Sequence, residues 1–240
     1  MPTHPSDDDA RALAGPLPAA VLWDMDGTLV DTEPSWMAAE TALVTEFGLD
    51  WGPEDAEGMI GLPLVAAAEV LRGRGVALPA DEIVDRLLGS VVADVRVSVP
   101  WQPGAVELLA ALRAAGVPCA LVTMSYRALT DAVLAGAPGA FDVVVPGDEV
   151  THGKPHPEPY LVAAERLGVD VRACVALEDS PPGVASALAA GARTIGVQHI
   201  VPVRPQPGLS RVDTLERVDL DLLRRVRAGD VVDLLPSTAR

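Results

Sequence analysis

The sequence predicts an α/β fold in three layers, a parallel sheet with helices on both faces, with a helical insertion after its first strand. Three observations predict it. Short uninterrupted apolar runs alternate with helical spacing, the pattern of strands buried on both sides. Those runs end in polar residues that an open parallel sheet gathers along one edge. The interval between the first two runs is far longer than one crossover needs, and its recognisable patterns are helical.

The apolar runs are Ala19–Trp23, Val117–Val122, Val143–Val145, Ala173–Leu177 and Thr194–Val197. Gly104–Ala115 has leucines at 108, 109 and 112 and stops at Gly116, as a helix does. Pro157–Leu167 and Pro181–Ala190 end the same way, at Gly168 and Gly191. The insertion, residues 33–100, carries helical patterns at Ser35–Phe47, Leu64–Arg72 and Ala80–Val92. VPWQPG (99–104) reads as the hinge where the chain returns, and VPVRPQPG (201–208) as a surface loop. LERVDLDLLRRV closes the chain with helical spacing. The expected organisation is a tail over residues 1–18, disordered, a core of residues 19–32 and 101–240, and the helical domain at 33–100.

Composition sets the outer limits. With 49% hydrophobic and 3% aromatic residues, the core is large and aliphatic. A net charge of −16 disfavours nucleic acid and anionic membrane as partners. The acidic N-terminus lacks the apolar stretch of a secretory signal, so the expected compartment is cytoplasmic; a monomer is the default expectation for this architecture. Cys119 and Cys174 sit inside apolar runs and read as small buried hydrophobes.

The strand ends carry the chemistry. The first run stops at Asp24, with Asp26 two residues on. The second ends in Thr123, Met124 and Ser125, the third leads to Lys154, and the fourth ends in Glu178, Asp179 and Ser180. Each alone has a bland reading, a helix cap or a surface lysine. Together they place Asp24, Asp26, Glu178 and Asp179 in one small space. Two such charges ~4 Å apart repel by about 4 kcal/mol at an effective dielectric of 20. An all-carboxylate set without His or Cys suits a hard cation, Mg²⁺, and Lys154 adds a fixed positive charge. A metal, a lysine and hydroxyl donors fit phosphoryl transfer. The spacing of two lets one carboxylate attack phosphorus while its neighbour moves the proton.

DMDGTLVDTEP (24–34), LVTMS (121–125), GKPHPEPYL (153–161) and EDSPPGVASALAAG (178–191), in this order, resemble the haloacid-dehalogenase-like superfamily in its phosphatase and β-phosphoglucomutase branch. The resemblance spans about Ala19 to Val197 and implies a Rossmann-like core with a helical cap at 33–100. It implies that Asp24 is the nucleophile and, with Asp179, Glu178 and the Asp26 carbonyl, a ligand of Mg²⁺. It implies that Asp26 is the general acid/base, that Thr123 and Ser125 bind the phosphoryl group, and that Lys154 both binds it and orients Asp24. The implied activity is hydrolysis of a small phosphorylated metabolite, a sugar phosphate, through an aspartyl phosphate. Asp26 argues against carbon–halogen cleavage, and a 33–100 segment without lysine argues against Schiff-base phosphonate cleavage. Met124 departs from the pattern, leaving a less polar pocket.

The alternative is a sugar phosphomutase. Mutases carry a His where this chain has Trp36, and an Arg after a cap-loop glycine where it has Gly61–Leu62. Phosphatase is therefore the favoured reading, with Glu33, Trp36, Gly61 and Leu62 as specificity candidates. Arg72, Arg74 and Arg86 are read as solvated surface residues, and His152 and His156 as loop residues. A non-catalytic binding protein of this fold is expected to lack Asp24, Asp26, Lys154 or Asp179, and this chain keeps all of them.

Overall fold

The computed structural model describes residues 15–60 and 62–235 of the chain. Its sheet is built from β1 (Val21–Trp23), β2 (Cys119–Val122), β3 (Val143–Val145), β4 (Val175–Glu178), β5 (Arg193–Val197) and β6 (Leu209–Val212). All neighbours are parallel, in the order β3-β2-β1-β4-β5-β6. The α/β class is as expected. Every residue of β1, β2 and β4 is buried, which is why those runs read as continuous apolar stretches rather than alternating ones.

Helices α1 (Glu33–Glu46), α2 (Pro53–Glu57), α3 (Leu64–Arg74) and α4 (Ala80–Val97) lie between β1 and α5 (Ala105–Ala114). The remaining α-helices among the described residues are α6 (Arg127–Ala135), α7 (Glu158–Leu167), α8 (Pro181–Ala190) and α9 (Leu220–Ala228). α4 buries Ile83, Val84, Leu87, Val91, Val92 and Val95, one face at helical spacing, and packs against α1, α3 and α6. No helix among the described residues is long and apolar enough to cross a membrane.

The elements that went unread in the sequence include the short α2, β6 and α6. β6 is short, partly polar and preceded by a proline-rich loop, so nothing local marks it. α6 lies between β2 and β3, where the sequence reading assigned no helix. Of the N-terminal stretch 1–18, residues 1–14 lie outside the described residues, and Leu17 packs against the main core. Cys119 and Cys174 are buried free thiols, as expected.

The two passages between the sheet and the inserted helices run side by side. Val30 bridges Trp101 in antiparallel fashion, Asp31 N–H donates to Pro100 O at 2.8 Å, and Gln102 N–H to Leu29 O at 3.0 Å. The strand order reverses at β1 and β4, and the crevice beyond their carboxyl ends is where such sheets bind ligands.

Candidate active site

β1 ends at Trp23, and Asp24 N–H still donates to Leu177 O of β4 at 3.0 Å. The chain then turns tightly, with Gly27 N–H bonded to Val30 O and Gly27 at φ +87°. Alternation along the strand sends Met25 into the core and leaves Asp24 and Asp26 on the other side.

Lys154 is the only lysine in the chain, and its side chain is 3% exposed. Its ammonium donates to Asp24 Oδ1 at 2.5 Å, Glu178 Oε1 at 2.6 Å and Val122 O at 2.9 Å. Burial pulls its pKa down, but attraction to Asp24 and Glu178 outweighs that and raises it. Glu178 is fully buried. Tyr160 OH donates to its Oε1 at 2.5 Å and Ser180 Oγ to its Oε2 at 3.2 Å. Gly183 sits so close that a Cβ there would fall 2.0 Å from both carboxylate oxygens.

Asp24, Glu178 and Asp179 bring a carboxylate oxygen each within 4.8 Å of one another. Burial pushes the Asp24 carboxyl well above the carboxylate range, and Glu178 and Asp179 add to the rise against the pull of Lys154. Asp179 is pushed up to about 7, again mainly by burial and then by Glu178. One ammonium does not neutralise this cluster. The excess negative charge, the all-oxygen donor set and the close approach fit a hard divalent cation.

Asp26 stands in a second group. Its Oδ1 accepts from Thr32 Oγ1 at 2.5 Å, and its Oδ2 accepts from Ser125 Oγ at 2.7 Å and Thr123 Oγ1 at 3.3 Å. The Thr123 oxygen also accepts the backbone N–H of Ser125 at 2.9 Å. The hydroxyls expected at the phosphoryl group therefore hold Asp26 here. Met124 lies over the Lys154 loop, its sulfur accepting from the Lys154 backbone N–H at 3.3 Å, and is 38% exposed.

A family model for haloacid dehalogenase-like hydrolases matches residues 18–191. The chain belongs to the haloacid dehalogenase-like hydrolases. Hexitol phosphatase B of Escherichia coli strain K12 is 31% identical to this hydrolase over 218 residues, 89% of this chain and 96% of that protein. CbbY from Rhodobacter sphaeroides, crystallised with phosphate, superposes with a TM-score of 0.75 at 28% identity, covering 84% of this chain and 96% of that one. A β-phosphoglucomutase from Clostridium difficile has a TM-score of 0.71 at 19% identity, covers 88% of this chain and 98% of that one, and shows likeness of fold alone.

Of the specificity candidates in this hydrolase, Gly61 lies outside the described residues. Leu62 is 38% exposed, and Trp36 is half-buried against the core. Glu33 opens α1, and Thr32, the residue before it, spends its hydroxyl on Asp26 rather than on a helix cap. Burial, then Asp26 and Asp31, raise Glu33 to about 6. Arg72, Arg74 and Arg86 pair at the surface with Glu69, Asp55, and Glu46 with Glu82.

Several contributors escaped the sequence reading. Thr32 and Tyr160 orient Asp26 and Glu178. Gln102 Nε2 donates to Gly27 O at 3.1 Å, and His199 joins Gln102 and Asp31 at 3.4 and 3.2 Å. Glu40 is 5% exposed, and its Oε2 finds no hydrogen-bond partner among the described residues. It follows Glu33 by about two helical turns, on the same face of α1. A Glu one turn from the buried Leu43 and Val44 was its only sequence signal.

Burial, then Glu33, raise Glu40 from its ordinary 4.5 to about 7. A carboxyl raised on folding favours the folded state below 4.5, and that contribution is lost as pH climbs through 7. Glu40→Gln does not titrate. Its melting temperature relative to wild type is therefore expected to rise between about pH 5 and about pH 8. A pH-independent difference in thermal scans contradicts the burial of an uncompensated carboxyl.

Proposed function

We propose that this hydrolase is a Mg²⁺-dependent phosphatase for a small sugar or sugar-alcohol monophosphate, acting through an aspartyl phosphate on Asp24. The observation that carries the reading is the pairing of two differently held carboxyls. Asp24 touches the buried ammonium of Lys154, while Asp26 is held by hydroxyls two residues away. The name of the hexitol phosphatase relative supports the substrate class.

In this reading Asp24 Oδ attacks phosphorus and displaces the sugar oxygen, and Asp26 gives that oxygen its proton. Water then attacks the phosphoryl group, with Asp26 taking a proton back and Asp24 leaving as carboxylate. Thr123 and Ser125 turn from Asp26 toward the phosphoryl oxygens, and Lys154 balances their charge. Asp24, Asp179, Glu178 and the Asp26 carbonyl hold the cation. When bound, Mg²⁺ supplies Lewis-acid stabilisation of the phosphoryl charge. Residues 33–100 act as a cap over a core of 19–32 and 101–240, and Trp36, Glu33 and Leu62 face the substrate body.

The phosphatase reading is preferred to a phosphomutase on the cap chemistry. Trp36 stands where mutases carry a His, three cap arginines are engaged with acids, and Glu33 disfavours a second phosphate beside it. The test is phosphate release by purified protein from a panel of hexose, pentose and hexitol monophosphates. Stoichiometric inorganic phosphate is expected. Isomerised sugar phosphate with little free phosphate overturns the choice, and inactivity across the panel overturns the function.

Gly27 offers a check on the cation. An alanine Cβ there would lie 2.1 Å from Asp179 Oδ2, in a left-handed backbone conformation. Gly27→Ala is expected to weaken the Mg²⁺ dependence of activity by about 10–100-fold in apparent affinity. An unchanged Mg²⁺ titration contradicts the placing of Asp179 at the metal.

A further inference from the structure

The loop that delivers Lys154 carries a second donor cluster of different chemistry. His152, His156 and Glu158 each offer a ligand atom, all within 4.8 Å of one another. Glu158 Oε2 lies 2.8 Å from His152 Nδ1 and 4.0 Å from His156 Nδ1. Two donors of a tetrahedral zinc ion, with bonds of about 2.0–2.1 Å, stand about 3.3 Å apart. The observed separations bracket that value, so small side-chain rotations close the site.

The cluster is pre-oriented by the backbone. Glu158 Oε1 accepts the Thr151 N–H at 2.7 Å, and Oε2 the His152 N–H at 3.0 Å. Such outer contacts fix a ligand carboxylate. The Glu158 N–H donates to His156 Nδ1 at 3.2 Å, which keeps that nitrogen unprotonated with its proton on Nε2, and an ion bound at Nδ1 displaces this contact. The two rings face each other with centroids 4.6 Å apart and planes tilted by 35°. Both histidines are more than half exposed, leaving a path for an ion and positions for water.

We propose that His152, His156 and Glu158 bind a transition-metal ion of the Zn²⁺ class, at a site separate from the all-oxygen cluster at the strand ends. Two imidazole nitrogens and one carboxylate select Zn²⁺, Co²⁺ or Ni²⁺ over Mg²⁺. The chain's net charge of −16 concentrates cations near it. The histidines flank Lys154 at two residues on either side, and Glu158 begins α7. A bound ion ties the two arms of the Lys154 loop to that helix. It takes no part in the chemistry at Asp24.

The test is calorimetric titration of the purified protein with Zn²⁺ in excess Mg²⁺, which keeps the strand-end carboxylates occupied. One equivalent of Zn²⁺ is expected to bind wild type and Asp24→Asn alike. Affinity is expected to fall by about tenfold or more in His152→Ala and in His156→Ala. Both substitutions are at exposed positions, and the phosphatase activity of the two variants in Mg²⁺ serves as the control for folding. Zn²⁺ binding that persists in both histidine variants, or is lost in Asp24→Asn, overturns the site. So does the absence of Zn²⁺ binding to wild type. Loss of phosphatase activity in all proteins, with Zn²⁺ binding intact, would count against the proposed function and not against this site.

Discussion

Asp24→Asn is expected to lower phosphate release by about four orders of magnitude or more while leaving the protein folded. The amide keeps an oxygen for the Lys154 ammonium, which donates to Asp24 Oδ1 at 2.5 Å, but it is no nucleophile. The other carboxyl at the end of β1, Asp26, is engaged by Thr32, Ser125 and Thr123. Burial already pushes the Asp24 carboxyl upward, so ionising it in the metal-free protein costs free energy. The amide removes that cost. The melting temperature without Mg²⁺ is therefore expected to stay level or rise. Activity within tenfold of wild type, or a loss explained by unfolding, contradicts the assignment.

The second large effect is expected at Lys154. Lys154→Met keeps the length of the side chain and removes the charge that faces Asp24 and Glu178. A buried ion pair broken on one side typically costs about 3–5 kcal/mol, because the remaining charge is uncompensated. Asp24 and Asp179 have raised pKa values in the folded state. The deficit should therefore shrink as pH falls and they take up protons, and grow as pH rises through about 7, where Asp179 ionises. Mg²⁺ should restore part of the stability and none of the activity, since in the proposed mechanism Lys154 also balances the phosphoryl charge. Chemical denaturation of both proteins across pH, with and without Mg²⁺, measures this. A variant as stable as wild type at alkaline pH without Mg²⁺ removes the electrostatic basis of the site.

The sheet was legible where burial is two-sided. The runs leading into β1, β2 and β4 are apolar throughout because helices cover both faces, and each stops where the polar residues of the candidate site begin. Asp24, Lys154, Glu178 and Asp179 were legible because strand ends of a parallel sheet share one edge, so position along the chain translates into position in space. The residues that hold them were not. Tyr160 reads as one more apolar helical residue until its hydroxyl meets Glu178, and Glu40 as a surface glutamate until α1 packs against α4. Gln102 and His199 meet across 97 residues of chain, a contact with no local signature. β6 was lost because its short LSRV, with two polar residues between two apolar ones, shows no strand alternation and follows a proline-rich loop. The direction of the Thr123 and Ser125 hydroxyls is also beyond spacing, which predicts proximity to Asp26 without saying which acceptor they choose.

The claim that Asp24 carries the phosphoryl group is most directly tested by rapid acid quench of a single turnover, followed by mass spectrometry of the proteolysed chain. With Mg²⁺ and a reactive sugar monophosphate, the account predicts a transient phosphate on the peptide that contains Asp24, formed no more slowly than inorganic phosphate appears and absent in Asp24→Asn. Phosphate release at full rate with no phosphorylated peptide at any quench time, or phosphate found on a peptide lacking Asp24, would contradict it.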